Sequence, residues 1–258
     1  MASKYFTVEA KPTIPASLQH AEQFDQHELL FDWTAFQVPR GANKLVNVTA
    51  LVRPKGDAGP TGNKKAFELI FSKSNTQSLG TINGGSIKRP SNDFLGSVEF
   101  AASHYHSQVL TSTMVASLSR GSDAGIVAGP LVLQGDITSG DNVGFDTLYV
   151  GAMTTAASSF DFISLNAIAE AGAADAASTQ VITMDGTGMD VREHFISGDV
   201  LHIGTTVGTP AADSLIGTVA SADSATQITL EAVSPTALVD GDILYNIHPI
   251  RLVLQFER

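Results

Sequence analysis

Ala177-Ser178-Thr179-Gln180-Val181-Ile182-Thr183-Met184, then a polar turn, then Ser197-Gly198-Asp199-Val200-Leu201-His202-Ile203, is an order that the chain uses twice. It returns as Ser224-Ala225-Thr226-Gln227-Ile228-Thr229-Leu230, a turn containing Pro235, and Asp240-Gly241-Asp242-Ile243-Leu244-Tyr245. Each copy is a Thr-Gln-led β-branched strand followed by a Gly-Asp-led apolar strand. Two such units pairing with each other predict a small closed or half-closed, barrel-like β module. The chain then ends on a further strand, in which Ile250, Leu252, Leu254 and Phe256 share one face and Arg251, Gln255 and Glu257 the other. So apolar a face needs a sheet to join. If it returns to a sheet built by the first half of the chain, the doubled stretch is an insertion before the last strand.

The first half supplies that sheet. His27–Phe36 is a strand with large aromatics, Pro39-Arg40-Gly41-Ala42-Asn43 is a turn, and Lys44–Arg53 alternates with Val46, Val48, Ala50 and Val52 on one face. Together they predict a hairpin. Phe67, Leu69 and Phe71 alternate in the next strand, 94–100 forms another, and further strands are expected at 108–117, 129–134, 147–153 and 160–168. Residues 1–27 hold Pro12 and Pro15 and read as an extended arm with one short helix after Pro15. The expected organisation is therefore an arm (1–27), an all-β sandwich (28–170 plus 249–258) and a small inserted β module (171–248).

Composition narrows the functional classes. The 258 residues contain no cysteine, so disulfides and thiolate metal sites are excluded. The first nine residues do not have the long apolar region of a signal peptide, and no apolar run is long enough to cross a bilayer. Charge is uneven: residues 1–150 hold 12 Lys and Arg against 13 Asp and Glu, whereas 151–258 hold 3 against 13. Such an acidic second half repels phosphate backbones, so neither a nucleic acid nor a membrane is an expected partner.

Several residues invite chemistry, and each has a plainer role. His104-Tyr105-His106 could put two imidazoles on one strand face, as in the metal-binding cupin enzymes. Those enzymes follow the pair within a few residues by a glutamate, which is missing here, and Gly96 stands too far upstream. Asp199 and Asp242 could be paired carboxylates, but an Asp after Gly ordinarily bonds to the turn backbone. Trp33, beside Phe31 and Phe36, could stack on a sugar, yet a single tryptophan in a strand is ordinarily core or interface. The loop 54–65 is neither a collagen repeat nor a phosphate-binding loop, and Lys64 and Lys65 could meet an acidic neighbour. Asn47-Val48-Thr49 has the form of a glycosylation sequon. No catalytic, cofactor or metal residue is assigned, and no cofactor or enzymatic activity is expected.

The opening strands Leu29–Val52 with Pro39-Arg40-Gly41 between them, Phe67-Glu68-Leu69-Ile70-Phe71 with Ser78-Leu79-Gly80-Thr81, and the Gly-Asp-led module resemble tailed-phage virion structural proteins, in particular capsid decoration (cement) proteins. The resemblance covers most of the chain. It implies a jelly-roll-like sandwich, a homotrimer, the major capsid protein as partner, and a place on the capsid surface after assembly in the host cytoplasm. The alternative expectation is a carbohydrate- or receptor-binding β module of tail-fibre or lectin type.

Overall fold

The computed structural model describes residues 4–21, 23–54, 63–85, 93–106, 113–119, 131–134, 145–157, 159–162, 180–184, 190–205 and 211–258. Alternating apolar residues make about half of it strand, and very little of it is helix. In chain order the elements are β1 (Tyr5–Ala10), α1 (Ala16–Ala21), β2 (Leu29–Pro39), β3 (Asn43–Val52), β4 (Phe67–Ser72), β5 (Phe94–Phe100), β6 (Tyr105–His106), β7 (Met114–Ser119), β8 (Leu131–Leu133) and β9 (Phe145–Thr154). There follow β10 (Val181–Thr183), α2 (Val191–His194), β11 (Val200–Thr205), β12 (Leu215–Ala222), β13 (Gln227–Leu230), β14 (Ile243–Asn246) and β15 (Ile250–Glu257). Among these residues no helix is long and apolar enough to cross a membrane.

The described strands form three antiparallel sheets. One runs β1-β15-β3-β7-β6, with β8 also on β3; a second runs β2-β9-β4-β5; the third is β10-β13-β12-β11-β14. The first two are a jelly roll. Its logic is one long antiparallel ribbon, paired as β1 with β15, β2 with β9, β3 with β7 and β4 with β5, and rolled so that successive pairs fall in alternate sheets. Between the sheets lies one apolar core, which includes Phe36, Phe71, Phe100, Leu148, Leu252 and Phe256. The third sheet, inserted between β9 and β15, has its own core around Ile182, Leu201, Ile203, Ile216, Ile228 and Leu230.

Three sequence expectations are corrected. First, β2 and β3 are no hairpin. They lie in different sheets, and residues 40–42 carry the chain across the sandwich. Gly41 has φ 109, and the Asn43 side-chain amide donates to the carbonyls of Pro39 and Gly41, which fixes the corner. Each strand turns apolar residues inward, Phe36 and Val38 from β2 and Leu45, Val48, Ala50 and Val52 from β3, and these meet in the core. Second, the alternation in β3 is interrupted. A register shift opposite Gln255 and Phe256 makes Val46 the extra residue, so Leu45 joins Val48, Ala50 and Val52 in the core while Val46 stays half-buried.

Third, the N-terminal segment is no arm. Tyr5–Ala10 pairs with β15 along its whole length, from Tyr5↔Glu257 to Ala10↔Leu252. Ile14 and Ala16 are fully buried, and α1 packs on the module strands β11 and β14. The helix itself follows Pro15, where the sequence places it. The chain then returns to the sandwich, where Phe24 and Phe160 exchange backbone hydrogen bonds.

The module is an open sheet: among the described residues nothing closes β10 onto β14. Its duplication is nevertheless real in three dimensions. β10 pairs with β13 and β11 with β14, so each strand of one copy meets its counterpart, and His202 lies directly across from its equivalent Tyr245. The turns repeat as well. Gly198 and Gly241 have φ 87 and 91, and the following Asp closes the turn in both copies. Asp199 Oδ2 accepts from the Ile196 amide at 2.9 Å and Asp242 Oδ2 from the Val239 amide at 3.0 Å.

Candidate functional site: the junction of sandwich and module

The residues that sequence singled out are scattered and serve the backbone. His104 belongs to a 3-10 turn (Ala102–His104), while His106 lies in β6, so the two imidazoles do not share a strand face. His104 Nδ1 accepts from the Ala101 amide at 3.0 Å. Between them Tyr105 is buried, its hydroxyl donates to the Lys65 carbonyl, and burial pushes its pKa up. Among the described residues no three His, Cys, Asp or Glu side chains are grouped to hold a metal. Trp33 is half-buried, and its indole N–H donates to the Gln77 carbonyl at 2.8 Å, pinning the segment that crosses the outside of β9. The loop at 55–62 lies outside the described residues. Asn47 and Thr49 lie on the outward face of β3, in a side-chain ladder that joins Gln255, Asn47, Thr49 and Ser117.

The densest polar constellation is one that sequence did not reveal. Where the module meets the sandwich, Arg53 at the end of β3 donates from Nη2 to both carboxylate oxygens of Asp199, at 2.9 and 2.8 Å. Both residues are nearly out of water. Asp199 thus combines the turn-closing role expected of it with an ion pair across the junction, and it is remote from any paired-carboxylate arrangement with Asp242. Around this pair the N-terminal segment is stitched to the module. The Gln19 amide bridges the carbonyls of Ile14 and Asn246, Ser17 donates to Asp213 from both its amide and its hydroxyl, and His20 Nδ1 lies 3.0 Å from the Tyr245 hydroxyl. Ala16, Tyr245 and Ile247 form a small apolar cluster beneath. Gly204 is required there, because a Cβ would overlap the Tyr245 ring.

The electrostatics of the junction follow from burial. His248 is the last residue of the module before Pro249, and its Nδ1 lies 3.1 Å from the Pro12 carbonyl. Its pKa falls below the ordinary histidine value, chiefly because burial disfavours the cation; Lys11 and His202 add to this, and the Pro12 carbonyl and Asp199 oppose it. Tyr245 is pushed up by burial and by the negative charge of Asp161. The Arg53 partnership joins residues 146 apart and leaves no local pattern. The legible signal was a cation directly after a strand that ends on Ala50, Leu51 and Val52.

The fold and this junction define an all-β protein, a jelly-roll sandwich with a second β unit fastened to it. Scanning the chain against protein-family models found no match, and a search of curated proteins found none either.

Proposed function

We propose that this chain is a structural, non-enzymatic virion protein that binds and stabilises a phage capsid lattice from its outer surface, as a decoration (cement) protein. The observation that carries the reading is the use made of its polar side chains. Asp199, Asp242, His104 and Trp33, the residues that invited chemistry or binding, instead close turns and pin loops. Arg53 and the N-terminal segment bind two β units together. This construction suits a protein whose task is to present fixed surfaces to its neighbours. The jelly roll agrees with the reading without selecting it, since capsid, lectin and enzyme domains all use that fold.

The test is sedimentation with purified capsid shells stripped of their accessory proteins. Saturable co-sedimentation in a fixed ratio to the major capsid protein is the expected result. A chain that stays in the supernatant at micromolar concentration overturns the proposal.

A further inference from the structure

We infer that β1 pairs edge to edge with β1 of a second copy of this chain, joining two sandwich sheets into one. The inference is independent of capsid binding. An open edge invites such pairing unless it is short, bulged or guarded by charge. Of the described strands that end a sheet, β6 has two residues, β10 three and β14 four. β2 carries two register shifts and ends on Pro39. The shift between Phe71 and Ser72 bulges β5 and turns Phe94 outward, where it is 63% exposed. β1 differs from all of these: its six residues pair with β15 in succession without a shift.

The direction of the backbone groups follows from one bond. The Arg258 amide donates to the Lys4 carbonyl, so Lys4, Phe6, Val8 and Ala10 turn their peptide groups to β15, and Tyr5, Thr7 and Glu9 turn theirs to the open side. Charges do not guard that side. Lys4 is drawn back to Glu257 and Glu9 to Arg251, both on β15. Self-complementarity identifies the occupant. Laid antiparallel about Thr7, two copies of β1 set Thr7 across from Thr7, and twice over set Phe6 across from Val8 and Tyr5 across from Glu9. Phe6 and Val8 lie half-buried at the margin of the core, and each gains an apolar neighbour. No like charges meet, since Lys4 falls across from Ala10. Centring the pair on Glu9 instead would oppose two carboxylates, so the register is specified. The seam is narrow, which makes this a weak pair that forms at high concentration and comes apart on dilution. A strand paired antiparallel with its own copy is a two-fold contact, distinct from the trimer that the resemblance implied.

The absence of cysteine makes the test direct. In this register the two Thr7 Cα atoms lie about 5.5 Å apart, within the span of a disulfide, and the two Glu9 Cα atoms about 14 Å apart. Under mild oxidation at about 0.5 mM, Thr7→Cys should therefore form a disulfide dimer at least about tenfold faster than Glu9→Cys. In sedimentation equilibrium the unmodified chain should rise with concentration towards twice the chain mass of 27.0 kDa. Thr7→Lys, which sets two ammonium groups opposite each other, should keep the single mass with an unchanged melting temperature. Equal disulfide rates, no disulfide from Thr7→Cys, a single mass at the highest concentration, a three-fold mass, or a dimer of Thr7→Lys overturns the inference. None of these results bears on capsid sedimentation, so the two proposals fail separately.

Discussion

Arg53 and Asp199 are 8% and 4% exposed, so each would be costly to bury without the other. Arg53→Met leaves the carboxylate in place with its charge unmatched and should lower stability by about 3–5 kcal/mol. Arg53→Met/Asp199→Asn should recover much of the loss, because asparagine still accepts from the Ile196 amide and carries no charge. Urea unfolding of the two variants measures the difference. His248 makes the junction sensitive to pH. Its value in the unfolded chain is about 6.5, and its value in the folded chain is lower. The unfolded chain therefore binds the proton more readily. The contribution is present in full above pH of about 6.5 and is lost as pH falls through the folded value. In His248→Asn the side-chain amide can still donate to the Pro12 carbonyl but cannot titrate. Its stability should fall less than that of the parent between neutral and mildly acidic pH, as followed by thermal melts.

At the scale of elements, α1 depends on one close approach. The ring of Tyr245 fills the space where a Gly204 side chain would lie, and the Ala16 carbonyl is beside it. Gly204→Ala should displace the ring, loosen α1 from β11 and β14, and make the segment 11–23 at least about tenfold more susceptible to proteinase K. Elements were also where the sequence was most legible. β2, β3, β4, β5 and β15 announce themselves through alternating large apolar residues, and Pro15 marks the start of α1. β1 was missed because the prolines after it suggested a free arm, and its partner strand lies at the other end of the chain. β12 was missed because Gly217, Thr218, Ala220, Ser221 and Ala222 leave only Leu215, Ile216 and Val219 as large apolar residues, and these do not alternate. Which sheet a strand joins is a non-local matter, so β2 and β3 looked like a hairpin. The outward turn of Phe94 and the slip at Val46 come from bulges, which alternation alone cannot reveal. The junction was the least legible part, since its contacts join residues far apart in the chain.

For the whole molecule, two separate apolar cores raise the question of whether they melt separately. The N-terminal segment contributes a strand to one unit and a helix to the other, and Arg53 ties them again. A single calorimetric transition, with equal van't Hoff and calorimetric enthalpies, is therefore expected of the unmodified chain. Arg53→Met/Gly204→Ala, which weakens both ties, should resolve it into two transitions. Deletion of the module should likewise be felt beyond its own boundaries, because Ile14, Ala16 and Gln19 would lose their cover. The pairing of β1 with β15 also sets how the molecule bears load. The two strands run antiparallel, with Tyr5 across from Glu257 and the Arg258 amide donating to the Lys4 carbonyl. Tension between the two ends would open this ladder one bond at a time, like a zip, and meet little resistance. Tension applied through the two faces of the sandwich would have to part the sheets and expose their shared apolar core all at once. The molecule is compliant when gripped by its ends and stiff when gripped by its sides.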